Sequence, residues 1–186
     1  MTAVDVVLPF PPLEQPNPPA RPSSYGDEIN RLVAKGLLDD VVRWLEDDFK
    51  PGQEAEIEEQ LFNALDRAFA MDGFQLAKRL SDHGWDCDSE LVEILDSAGG
   101  HAWSVHSDLV KAWVAANGIT LKMGLGARVE AARHGPGTIV GLRPETAEYV
   151  VQTDKWLAER SAEPGWRPED QKGSGLILAA ESLTHA

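Results

Sequence analysis

Two observations predict an α+β chain, with an acidic multi-helix domain followed by a small β-barrel. Apolar residues recur three and four apart as far as Gly118, and beyond it they fall into short alternating segments. The charge divides at the same place. Residues 1–118 carry 22 acidic and 9 basic side chains, whereas residues 119–186 carry 9 and 8. Of 186 residues in all, 31 are acidic and 17 basic, a net charge of −14. That balance argues against a surface that binds nucleic acid or anionic lipid all round, because neutralising phosphate takes Lys and Arg. The lone cysteine, Cys87, has no partner for an internal disulfide and fits a reducing compartment. No run of about 18 apolar residues occurs, so no membrane is expected as a partner. The first ten residues have no basic start and run into prolines, unlike a secretory signal, so a cytoplasmic location is expected.

Residues 1–26 hold seven of the 12 prolines and predict an extended, Pro-rich arm. Its apolar residues, Val6, Val7, Leu8, Phe10 and Leu13, leave two readings: a terminal tail, or an arm docked on its own body or on a neighbouring copy. The second would make a homo-oligomer through the arm.

The helical domain is placed at 27–118. In 27–49 the stripe Ile29, Leu32, Val33, Leu38, Val41, Val42, Leu45 predicts a helix interrupted or kinked at Gly36. In 54–71, Ile57, Leu61, Ala64, Leu65, Ala68 and Phe69 define a second helix, closed by Gly73. Shorter helices follow at 74–83, ended by Gly84, and at 88–98, ended by Gly99 and Gly100. A last one at 102–116 aligns Trp103, His106, Leu109, Val110 and Trp113. Stripes of this kind are stable only when packed against one another. Strands are predicted at 127–131, 137–142 and 149–153, with a last one around Ile177 and Leu178. Several short strands in so few residues favour closure, which removes exposed edges.

Four strings carry a resemblance: Gly126-Ala-Arg-Val129, Gly135-Pro-Gly-Thr-Ile-Val-Gly141, Tyr149-Val-Val-Gln-Thr-Asp154 and Trp166-Arg-Pro-Glu-Asp170. Together they resemble an SH3-like small barrel of the KOW/Tudor kind over residues 124–182. The resemblance implies glycines at tight corners, Val, Ile and Tyr filling a narrow interior, and a one-turn helix near the end. Such barrels bind nucleic acids, proteins or peptides, so it leaves function open. The segment 155–164 departs from the pattern, being longer and more helical than a usual strand connection.

Catalytic signatures are absent: no Gly-x-Ser-x-Gly, no Ser-x-x-Lys and no Walker-type Gly-Lys-Ser/Thr. The densest polar run, Asp82-His-Gly-Trp-Asp-Cys-Asp88, has the residue types of a metal site. A calcium loop started at Asp86 would need Gly and Glu where Leu91 and Ser97 stand, and a zinc site would need further ligands. Capping explains the run better, with Gly84 ending one helix and Asp86 or Asp88 starting the next. His101 and His106 are five residues apart, about 140° round a helix, a poor spacing for chelation. No metal, cofactor or catalytic residue is therefore assigned.

Two sets of residues remain as recognition candidates. One is an acidic helical face: Asp39, Asp40, Glu46, Asp47, Asp48, Glu54, Glu56, Glu58 and Glu59. The other is basic and aromatic, on the barrel: Arg128, Arg133, His134, Arg143 and Trp156, with Lys155 nearby. The leading expectation is a non-enzymatic interaction protein, an adaptor, inhibitor or accessory subunit. Its partner is another protein, one candidate class being basic or nucleic-acid-associated, and no direct nucleic-acid binding is expected of the helical part. A regulator of a nucleic-acid machine with a DNA-mimicking face is the second reading. A small enzyme with its site at the domain junction, near His134, is the third.

Overall fold

The computed structural model describes residues 19–46, 49–65, 72–163, 165, 167 and 173–185. The prolines and apolar residues before position 19 lie outside these, as do Asp47, Asp48, Ala68 and Phe69. So do Trp166, Pro168, Glu169 and Asp170 of the C-terminal string.

Among the described residues five helices come first: α1 (Asp27–Leu45), α2 (Glu54–Ala64), α3 (Gly73–Asp82), α4 (Ser89–Asp96) and α5 (Ala98–Asn117). A five-stranded antiparallel sheet follows: β1 (Arg128–Ala131), β2 (Gly135–Arg143), β3 (Glu148–Thr153), β4 (Leu176–Ala179) and β5 (Leu183–His185). Between β3 and β4 stands α6 (Asp154–Ser161), which accounts for the helix-like character of that segment. The α+β class read from the sequence is the observed one.

The α1 helix buries Ile29, Val33, Leu37 and Val41, a strict four-residue repeat, against α2, α4 and α5. It runs unbroken through Gly36, contrary to the expected interruption. A Cβ at Gly36 would stand 3.0 Å from His101 Nδ1, so this glycine lets α5 approach closely. The α2 helix stops at Ala64, short of its expected end. Two side chains from neighbouring helices take its terminal carbonyls: Arg79 donates to Ala64 O at 3.0 Å and Asn30 to Leu65 O at 2.8 Å. Gly73 begins α3 rather than closing α2. A Cβ there would meet Val92 O at 2.1 Å, and its N–H donates to the Asp96 carboxylate. Gly99 and Gly100 likewise belong to the first turn of α5, the break from α4 falling at Ser97. Along α5 the expected stripe is only partly inward: Val110 is buried, whereas Trp103 is 56% exposed.

The sheet order is β4-β3-β2-β1-β5. Alternation is clean in β3, where Tyr149, Val151 and Thr153 point inward. Tyr149 is the largest fully buried side chain among the described residues, and its hydroxyl accepts from Met123 N at 2.9 Å. Thr153 reconciles burial with polarity by accepting from Trp156 N, which starts α6. The expected closure does not occur, since β4 and β5 are the two outer strands and do not pair. A 3-10 turn, Ala180–Ser182, joins them and is tied at both ends of its crossing. Ala180 N donates to Ala147 O at 3.0 Å and Ala132 N to Ser182 O at 3.5 Å, which carries the chain over the sheet end instead of into a hairpin.

Helices and sheet meet at α5. Val110 and Val114 pack on Ala147, with Trp113, Ile119 and Leu121 around them. Ala147 is wholly buried in a left-handed conformation (φ 50°), just after the 3-10 turn Pro144–Thr146. The arm closes this seam. Trp113 Nε1 donates to Pro19 O at 3.0 Å, and His106 Nε2 is 3.3 Å from Pro22 O, a geometry that needs the proton on Nε2. Arg21 donates to Thr146 O at 2.6 Å and Ala147 O at 3.5 Å, and it pairs with Glu148 at 3.2 Å and Glu181 at 3.4 Å. Its guanidinium carbon also lies 5.9 Å from the Trp113 ring centre. The described part of the arm is therefore docked on its own body. Arg21→Ala should lower stability by about 2 kcal/mol, the range for charge-assisted bonds to part-buried carbonyls. Arg21→Lys should restore less than half of that, because an ammonium cannot reproduce the fork. Urea denaturation measures both, and an unchanged midpoint for Arg21→Ala would show that the seam holds without it.

Candidate functional site

Asp47 and Asp48 of the expected acidic face lie outside the described residues, and the four glutamates of α2 do not share one side of their helix. At 100° per residue, Glu54 and Glu58 lie close together on α2, while Glu56 and Glu59 lie on another side roughly 60° apart. Glu54 accepts from Gly52 N at its own helix start, and Glu59 pairs with Arg31 of α1 at 3.1 Å. Asp40 pairs with Arg43 at 2.9 Å; Asp39 and Glu46 are exposed. Of the described residues in this set, Glu56 lines a cleft.

The basic set on the sheet is also dispersed. Arg133 and His134 lie in the β1–β2 turn, whereas Arg143 ends β2 nine residues beyond His134, at the opposite end of that strand. Arg128 is held by Asp154 through two bonds of 2.9 Å, which raises the Arg128 pKa and lowers that of Asp154. Arg143 faces Glu148 at 3.5 Å, and Trp156 lies under Arg160 at 5.9 Å. His134 is thus far from the seam between helices and sheet, which is built at the other end of β2.

A site that neither set describes lies in the helical part. A cleft of about 540 Å³ opens between the end of α1, the start of α2 and the α3–α4 connection. It is lined by Trp44, Gln53, Glu56, Gln60, Trp85, Asp86 and Asp88, together with Leu45, Ile57 and Gly84. The Trp44 and Trp85 rings are stacked, with centroids 6.4 Å apart and planes within 7°. Each indole N–H is used internally: Trp44 Nε1 donates to Asp88 Oδ1 at 3.1 Å and Trp85 Nε1 to Gln60 Oε1 at 2.6 Å. The Asp88 oxygen also accepts from Leu91 N at 2.9 Å, so the helix cap expected there fixes a tryptophan as well. Gln60 in turn donates to Glu56 at 3.3 Å.

These bonds lock the rings and leave the cleft with π-faces and carboxylates. No Lys or Arg lines it, and among the described residues Glu56, Asp86 and Asp88 form no ion pair. The sequence pattern hid the site because its residues come from three separated segments. The signal was present in part: Trp85 stands inside the acidic run 82–88 that capping alone explained. Among the described residues no three His, Cys, Asp or Glu side chains converge as metal ligands, and no helix is long and apolar enough to cross a membrane. Compared with protein-family models, curated proteins and solved structures, the chain matches none of them.

Cys87 reports on the field of this site. Its thiol donates to Ala77 O at 3.2 Å, and its pKa is raised, first by burial and then by the Asp86 and Asp88 charges. A raised pKa means less thiolate at neutral pH. Iodoacetamide alkylation of this single cysteine should therefore follow a pH curve displaced above that of a free thiol. Asp86→Asn should move the curve part of the way back, while a midpoint below the free-thiol value would contradict the arrangement.

Proposed function

We propose that the chain is a non-enzymatic interaction protein, an adaptor, inhibitor or accessory subunit, that docks on another protein through its helical layer. One observation carries this reading: an open cleft whose walls are two fixed tryptophans and three carboxylates that no described cation neutralises. Aromatic anchors flanked by polar groups are the composition in which binding energy concentrates at protein interfaces. The acidic excess on α1 and α2 favours a partner with a basic surface, which it would attract over a distance set by salt. Proteins that handle nucleic acids are one class with such a surface.

The sheet, open between β4 and β5, is read as an SH3-like module that contributes a second contact. Support comes from the strand order, since β4 and β5 are consecutive and joined by a three-residue turn. One more pairing, between those two strands, would complete a ring. The seam formed by α5 and Arg21 fixes this unit against the helices, so both surfaces are presented together.

Capture of the tagged full-length protein from its native lysate tests the reading, at low and high salt, with nuclease treatment in parallel. The expected result is a protein partner that survives nuclease and dissociates at high salt. Absence of any partner at either salt, or a partner lost with nuclease, would count against it.

A further inference from the structure

We infer that the Trp44–Trp85 cleft is a receptor for an arginine side chain of the partner, which rests on the reading above and gives its chemistry. The internal bonds already described occupy both indole donors and the Gln60 carbonyl. What remains for a ligand is aromatic surface and the carboxylates of Glu56, Asp86 and Asp88, which suit a group that is flat, cationic and rich in donors. Three unneutralised carboxylates round one concavity also repel each other, a cost that a bound cation removes.

Guanidinium fits better than ammonium. It is planar and weakly hydrated, stacks on indole faces, and offers a fork of donors to carboxylates. An ammonium is compact and strongly hydrated, and would gain less between a ring and a half-exposed acid. The protein already uses this pairing within itself. Among the described residues, Arg31 lies 4.0 Å from the Phe62 ring centre, and Arg21 and Arg160 lie 5.9 Å from those of Trp113 and Trp156. Trp44 and Trp85, which no described arginine covers, are the rings that line the acidic cleft. Both rings are held in place before the ligand arrives, so little ordering opposes binding.

The test uses the full-length protein and three capped tripeptides, Gly-Arg-Gly, Gly-Lys-Gly and Gly-citrulline-Gly, followed through the six indole Nε1–H signals by NMR. The arginine peptide should shift the Trp44 and Trp85 signals with a dissociation constant of the order of a millimolar. Citrulline, the neutral isostere, should leave them in place, and lysine should bind several-fold more weakly. The double variant Glu56→Gln, Asp86→Asn should weaken the arginine peptide roughly tenfold. It keeps the acceptor for Gln60 and leaves the Asp88 cap intact. Arginine-induced shifts confined to other tryptophans, equal binding of citrulline or lysine, or no shift at all would overturn the inference. The two readings fail differently. A captured partner that the double variant still holds would leave the interaction protein standing without the arginine receptor, whereas no partner for the wild type would remove the interaction reading itself.

Discussion

The structure depends on one helix being shared. The first half of α5 packs on α1 inside the helical layer, and its second half carries Val110 and Val114 onto Ala147, in the β2–β3 connection at the end of the sheet. A chain with an acidic half and a nearly neutral half has little electrostatic reason to associate with itself. The seam is held by apolar contact and by Arg21, a cation brought back from a distant point in the sequence to Glu148 and Glu181. The cost of the left-handed Ala147 backbone is local, about 1 kcal/mol, and the bonds that Arg21 and Ala180 make to its carbonyl offset it.

The same economy of contacts builds the cleft. Asp88 starts α4 and, with the same oxygen, orients Trp44; Gln60 orients Trp85 and connects it to Glu56. These are second uses of residues that helices need in any case. The outcome is a rigid aromatic surface with an excess of negative charge, placed where three segments converge and away from the sheet. Net charge alone would disperse such acids for solubility, as it does for Glu54, Glu59 and Asp40, each of which serves a local bond. Glu56 and Asp86 form no ion pair among the described residues, and what distinguishes them is their place on the wall of the tryptophan cleft.

Local pattern made much of the architecture legible. The α1 stripe, the Asp88 cap, the three central strands and the helical character of 154–161 all follow from period, capping and turn residues. Glycine was the main source of error. Gly36, Gly73 and the Gly99-Gly100 pair read as breaks, yet two of these sites mark close approaches to His101 and Val92, contacts that only the tertiary fold creates. Arg21 was equally illegible, because its partners lie more than 120 residues away. The candidate residues suffered in the same way. Charge lists grouped Asp39 to Glu59 as one face, but rotation around α2 splits its four glutamates, and Trp44 joins Trp85 only through packing. Sheet closure was expected from strand count, while the actual course of 180–182 is fixed by bonds to Ala132 and Ala147.

Hydrogen–deuterium exchange of the full-length protein, free and bound to its captured partner, tests the central claim most directly. Docking through the tryptophan cleft predicts new protection around Trp44, across 53–60 and across 84–88, with the sheet changing less. Protection confined to 128–185, with those three segments unaltered, would contradict it and move the interface to the sheet.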